Sequence, residues 1–277
     1  MSAMKRKKLK ISNKGAVVSN TPNRTKILNR LLTKERITYN QAKSTRDLGI
    51  SYTAAASRPC EIFRSRLIKT RKRIQKTKQI AKVSRMAKKL YTGSCFSAST
   101  WAHQAAGVTT NEMIAIERNA LVCSGVSPIG RCRLVSLSVI YGPGGTPQAR
   151  IVKETIKVWF QVLALNPVQI DHLDSAWAKA RRFLAAQSKP HQHVMSIMSN
   201  VITILLAAKW MPYSPNRWVD PKGDHWLIDP EANSQVVSSA IIKDLHNLQL
   251  PRASGHYDGL GIQGGINWEY TLRFVGP

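Results

Sequence analysis

Acidic residues are the scarce commodity of this chain. Fifteen Asp and Glu stand against 42 Lys and Arg over 277 residues, a formal net charge of +27. That balance favours nucleic acid or an anionic membrane surface as partner over acidic small molecules. Cysteine is sparse too: Cys60, Cys95, Cys123 and Cys132 match no zinc spacing and are too few for a disulfide framework at this length. They read as reduced thiols of an intracellular protein, nuclear or cytoplasmic. An organellar address stays open, since the first thirty residues hold no acid. Long apolar runs are missing as well. The longest, Val194 to Trp210, is interrupted by Ser196, Ser199, Asn200 and Thr203 and falls short of the roughly 20 apolar residues of a membrane span. No membrane partner is expected. The run reads instead as a buried helix, with Val194, Ile197, Met198, Val201, Leu205 and Ala208 on one face.

Motifs that would announce chemistry are equally absent. No G-x-S-x-G singles out a nucleophile among the serines. Tyr141-Gly142-Pro143-Gly144-Gly145 lacks the Lys-Ser/Thr of a phosphate loop and reads as a turn. His191 and His193 flank Gln192, with Asp171, His172 and Asp174 nearby, but an i,i+2 spacing on a helix does not place two imidazoles on one face. No metal site is expected. Trp210, Trp218 and Trp226 recur among Pro212, Pro215 and Pro221; such residues stack bases or staple a loop to a core, and the proline-rich setting favours stapling.

What the chain does have is Arg58 to Tyr91, RPCEIFRSRLIKTRKRIQKTKQIAKVSRMAKKLY, with over a dozen basic residues and one acid, Glu61. Phe63, Leu67, Ile74, Ala81, Ala87 and Leu90 recur near the helical period, widened by Ile80, Val83 and Met86. The spacing predicts one unbroken helix of roughly 45 Å at about 1.5 Å per residue, docked by that seam. Arg64, Lys69, Arg71, Lys72, Arg73, Lys76, Lys78, Lys82, Arg85, Lys88 and Lys89 crowd the remaining circumference with too few carboxylates to pair them. The expected partner is RNA, DNA or their hybrid, bound without sequence preference and sensitive to salt. The plain alternative, a solvated basic helix, ordinarily intermixes acids for solubility.

Around this helix the sequence suggests an α+β protein, predominantly α-helical, in three segments: residues 1–57, 58–188 and 189–277. In the first, Ala16 to Ser19, Ile37 to Tyr39 and Leu48 to Tyr52 are strand candidates. Thr21-Pro22 is an N-cap and N1 pair opening a helix through Lys34 with Ile27, Leu28, Leu31 and Leu32 inward. Beyond the basic helix, further helices are predicted over Thr110 to Cys123 (capped by Thr109 or Thr110, with Glu112 in the first turn), Cys132 to Ile140, Ala149 to Leu163, Asp171 to Gln187 and Ser234 to Leu248.

Several signatures, in order, then resemble one family. LKISNKGAVVSN (Leu9 to Asn20) followed downstream by STRDLGISYT (Ser44 to Thr53) looks like the palm end of a non-LTR retrotransposon reverse transcriptase. In that family a lysine-containing loop and strand leads through a helix to a hairpin resembling F-K-Y-L-G-V. Arg46, Asp47, Leu48, Gly49 and Ile50 occupy the hairpin signature, with Arg and Asp in place of its usual Lys and Tyr. The basic helix follows where a thumb would, and LYTGSCFSASTWAHQAAGVTTNEMIAIE and PYSPNRWVDPKGDHWLI resemble the connecting region of a protist subgroup. The resemblance implies a palm-end remnant, a thumb and a connection. It matches Lys14 to the lysine proposed to protonate departing pyrophosphate, and Leu48-Gly49 to the hairpin gripping the primer end. It also implies Mg²⁺ held by palm aspartates including a Y-x-D-D pair, yet no Asp-Asp pair occurs here. The catalytic palm is therefore expected upstream of Met1, no cofactor is expected for this chain alone, and Lys14 without those partners reads as an ordinary surface lysine. Two other readings stay open at this point: a structural RNA-binding protein of a ribonucleoprotein particle, and a degenerate retroelement product with no selected role.

Overall fold

A computed structural model describes residues 16–17, 22–34, 40–41, 44–47, 50–53, 58, 61–127, 132–165 and 170–254. It is mostly helical with small sheets, an α+β architecture. Two compact units emerge, Met1–Ile62 and Phe63–Pro277.

In the first unit, β1 (Ala16–Val17) pairs in parallel with β2 (Asn40–Gln41), and β3 (Ser44–Asp47) pairs antiparallel with β4 (Ile50–Thr53), Asp47 opposite Ile50. Helix α1 (Pro22–Lys34) forms where the Thr-Pro signal predicts. Its apolar face departs from expectation: Ile27, Leu28 and Leu31 are exposed. Periodicity fixes which face of a helix is apolar, but burial needs a covering element, and among the described residues none covers this one. The strand candidate Ile37 to Tyr39, together with Lys14, Leu48, Gly49 and Cys60, lies outside the described residues.

The second unit holds two apolar cores. Helix α2 (Glu61–Ala81) is followed by the short α3 (Ala87–Leu90), a π-helical turn (Tyr91–Phe96), α4 (Ser97–Thr100) and α5 (His103–Ala106). Then come α6 (Thr110–Cys123), α7 (Arg133–Tyr141), α8 (Pro147–Leu165), α9 (Ile170–Ala185) and α10 (Ile197–Ala207). Strands β5 (Met211–Ser214), β6 (Arg217–Val219) and β7 (His225–Leu227) form an antiparallel sheet before α11 (Ser234–Ser254). The start of α6 is set by a reciprocal cap: Thr109 Oγ1 accepts from the Glu112 amide and the Glu112 carboxylate accepts from the Thr109 amide, which satisfies two of the orphan donors of a helix start.

Helix α8 separates the cores. Ile151 faces one, built from Phe63, Ile74, Tyr91, Cys95, Phe96, Ile116, Leu121 and Leu137. Val152, Ile156, Trp159 and Phe160 face the other, shared with Trp177, Val201, Leu205, Trp210, Trp218, Ile241 and Leu245. This second core joins helices on both sides of residue 188, so the structure runs as one unit where the sequence suggested a division. Two indoles fasten the sheet to it: Trp159 Nε1 donates to the Pro215 carbonyl at 3.0 Å and Trp177 Nε1 to the Pro212 carbonyl at 2.9 Å. Trp210 and Trp218 are buried, as stapling requires, and Trp210 Nε1 reaches Asp244 Oδ2 at 2.7 Å. No described helix is long and apolar enough to cross a membrane.

Between the cores sits a buried imidazole. His103 Nδ1 lies 2.8 Å from the Thr100 carbonyl, and Nε2 stands 3.5 Å from Glu154 Oε2. Asn200 Nδ2 ties α10 to the same turn through the carbonyls of His103 (3.0 Å) and Gln104 (2.9 Å). Gly107 closes that turn at φ +66°, where a Cβ would stand 2.9 Å from Val194 Cγ1, so both conformation and space demand glycine. Burial lowers the His103 pKa, with Glu154 opposing. A histidine whose folded pKa is depressed binds fewer protons folded than unfolded, so it favours folding above the unfolded value of about 6.5 and loses that contribution as pH falls below it. The thermal midpoint is therefore expected to fall between pH 7.5 and 5.5, and His103→Gln to make that fall shallower; equal slopes for the two proteins would remove His103 as its source.

Candidate nucleic-acid interface

The basic segment is not one continuous helix. Helix α2 ends at Ala81, about 31 Å long at about 1.5 Å per residue, shorter than the roughly 45 Å expected for one unbroken helix through the basic segment. Its last turn tightens, with the amides of Lys82 and Val83 bonding the carbonyls of Gln79 and Ile80, and Ser84 Oγ then accepts from the Met86 amide at 3.3 Å. Gly125 also approaches so closely that a Cβ there would lie 2.9 Å from the Ala81 carbonyl oxygen. A tertiary neighbour thus packs against the last residue of the helix.

The docked stripe is narrower than the apolar seam read from sequence. Phe63, Thr70, Ile74 and Thr77 are buried and Leu67 partly so, whereas Ile80, Val83, Met86 and Leu90 are exposed. Two of the inward residues are threonines, and each disposes of its hydroxyl locally: Thr70 Oγ1 donates to the Arg66 carbonyl at 2.7 Å and Thr77 Oγ1 to the Arg73 carbonyl at 3.0 Å. With those donors satisfied, threonine is tolerated against the core. Beneath the stripe lie Cys95 and Cys123. Thr77 Oγ1 is 3.7 Å from Cys95 Sγ, and Cys123 Sγ 3.8 Å from the Ile74 carbonyl. The hydrogen bond with Cys123 lowers the pKa of the Cys95 thiol, and Cys95 together with burial raises that of Cys123. Both thiols are free.

On the opposite side, Arg64, Lys69, Arg71, Lys72, Arg73, Lys76 and Lys78 are exposed, as are Lys82, Arg85 and Lys89 beyond the helix. None of these forms an ion pair among the described residues. Lys88 departs from the expected set, because its ammonium is held by the Ile140 carbonyl at 3.2 Å. Other cations of the unit are also engaged: Lys153 Nζ donates to the Gly144 carbonyl at 2.8 Å, Arg150 lies over the Phe96 ring at 6.0 Å, and Arg133 pairs with Glu117. The contrast is between cations used for packing and a cluster left to solvent.

Helical geometry sorts that cluster into rows. Arg64, Arg71 and Lys78, seven residues apart and so about 10 Å along the axis, line one flank of the buried stripe. Lys69, Lys72, Arg73 and Lys76 occupy the crest and the other flank, where they neighbour one another at i,i+3 and i,i+4. Like charges so placed repel, by about 0.2–0.5 kcal/mol per pair, and nothing described in the fold relieves them. A polyanion would.

No three His, Cys, Asp or Glu side chains that could hold a metal ion converge among the described residues. Nothing in the sequence singles out Trp101, which follows α4 beside the basic helix and is 62 % exposed; only a surface reveals such a residue. Comparison with family models, with curated proteins and with solved structures gives no match.

Proposed function

We propose that α2 binds nucleic acid without regard to sequence, as the thumb-like part of a retroelement reverse transcriptase whose catalytic centre this chain does not carry. The observation supporting it is the exposed, unpaired basic surface of Arg64, Lys69, Arg71, Lys72, Arg73, Lys76 and Lys78. Guanidinium groups offer phosphate a bidentate fork and ammonium groups a point charge. A rigid helix fixes both relative to one another, so ordering cost on binding is low.

A straight helix of this length touches about four phosphates at once, which corresponds to a log-log salt slope of roughly −3.6 on duplex DNA and an affinity loss of about 150-fold between 50 and 200 mM salt. Fluorescence anisotropy of a labelled RNA–DNA hybrid and a scrambled-sequence control, titrated across salt, tests this. Equal affinity for both sequences with a steep slope is expected. A slope near zero, or strong preference for one sequence, would contradict phosphate contact as the source of binding.

A further inference from the structure

Trp101 is displayed where a tryptophan gains least from burial. Its neighbours in the turn are inside, Thr100 at 2 % exposure and His103 at 1 %, while Trp101 stands at 62 %. Among the described residues the other tryptophans behave differently: Trp159, Trp177, Trp210 and Trp218 are fully buried and Trp226 is partly covered. The turn that presents the indole is strained. Helix α4 ends at Thr100, Trp101 adopts φ −48° and ψ 131°, and Ala102 takes a left-handed conformation at φ 64° and ψ 18°, a region that a residue with a Cβ enters at a cost. Strain of this kind is retained where the surroundings over-determine it, and such positions cluster at binding sites. Here a specific contact supports it, since the Arg66 guanidinium donates to the Trp101 carbonyl.

That hydrogen bond also places the Trp101 backbone against the charged helix. Arg66 belongs to the flank of α2 that continues at i+3 and i+7 through Lys69 and Arg73, both exposed. An exposed indole free of any described ring partner is therefore carried on a turn held against a helix flank of cations. A protein or bilayer partner would call for an apolar surround, whereas a stacking platform beside cations matches the way single strands are held.

We propose that Trp101 stacks on an unpaired base of a single-stranded nucleic acid whose phosphates run along the Lys69 and Arg73 flank of α2. The inference rests on the reading of α2 as a phosphate-binding helix and narrows its ligand to a single strand or a single-strand–duplex junction. Bases within a continuous duplex present no free face to an indole at the helix flank, so duplex binding uses the cations alone.

The test compares the full chain with Trp101→Ala, Trp101→Phe and the double variant Lys69→Gln/Arg73→Gln, using a short labelled single strand and its blunt duplex at low salt. Trp101→Ala is expected to weaken single-strand binding roughly 5- to 150-fold and duplex binding less than about twofold, with an unchanged thermal midpoint because the ring is at the surface. Trp101→Phe restores most of the loss, and the double charge variant weakens both ligands. If the wild type binds both ligands with salt dependence yet Trp101→Ala leaves the single strand untouched, or weakens both equally, the stacking assignment is overturned while the helix reading stands. Binding of neither ligand by the wild type overturns both.

Discussion

Trp177→Ala is expected to unfold the second unit near room temperature or bring it close to doing so. The side chain is fully buried, its ring centroid lies 5.3 Å from that of Trp159, and its Nε1 donates to the Pro212 carbonyl at 2.9 Å. Truncating a buried tryptophan costs about 3–5 kcal/mol through lost transfer energy and the cavity left behind. Leaving the buried Pro212 carbonyl without its donor adds about 1–3 kcal/mol. Against a typical total of about 5–15 kcal/mol, the combined loss takes most of the stability. Trp177→Phe separates the two contributions by keeping an aromatic ring while deleting the N–H, and is expected to cost about half as much. Urea unfolding followed by far-UV circular dichroism checks both. A midpoint for the alanine variant close to that of the phenylalanine variant would show that the site collapses around the void and that the indole pair does not hold α9 against the sheet.

The elements legible in the sequence are those whose signals are local. Thr109 and Glu112 stand three residues apart and form the cap that starts α6, and Val194, Val201, Leu205 and Ala208 recur at helical spacing and are buried in the structure. Each signal is complete within a turn or two of helix. The end of α2 is different in kind. Nothing between Ala81 and Lys88 forbids a helix by composition, and the close approach of Gly125 to the Ala81 carbonyl comes from a residue more than forty positions away. Local sequence supports one long helix, and the structure ends it at a tertiary contact that no local signal encodes. The same limit applies to the apolar seam. Ile80, Val83 and Met86 have the right character and spacing but no element over them, while Thr70 and Thr77, polar by type, are inward because they satisfy their hydroxyls on their own helix. At the candidate interface, the cationic residues could be read from sequence, but which remain available could not. Lys88 is withdrawn by the Ile140 carbonyl, and Trp101 is marked only by its exposure.

Changing Arg71, Lys72, Arg73, Lys76 and Lys78 together to Gln is expected to weaken nucleic-acid binding by roughly three-thousandfold at about 50 mM salt, with the wild-type and variant curves converging as salt approaches about 1 M. The size follows from counterion release. A ligand on one side of α2 touches about three of the five at a time, and each contact contributes about 0.9 to the log-log slope. Convergence at high salt is the diagnostic, because only contacts that displace counterions vanish there. The variant also separates a binding role from a structural one by sign. These side chains are exposed and form no ion pair among the described residues, and glutamine has nearly the helix propensity of lysine and arginine. Removing the repulsions of Lys69 with Lys72 and Arg73, of Lys76 with Lys72 and Arg73, and of Lys78 with Lys82 relieves about 0.2–0.5 kcal/mol per pair. The thermal midpoint should therefore hold or rise while affinity falls. A lower midpoint with unchanged affinity would mean that the charge serves the fold through contacts outside the described residues and that the polyanion binds elsewhere. A raised midpoint with unchanged affinity would mean that the helix carries its repulsion for no ligand tested.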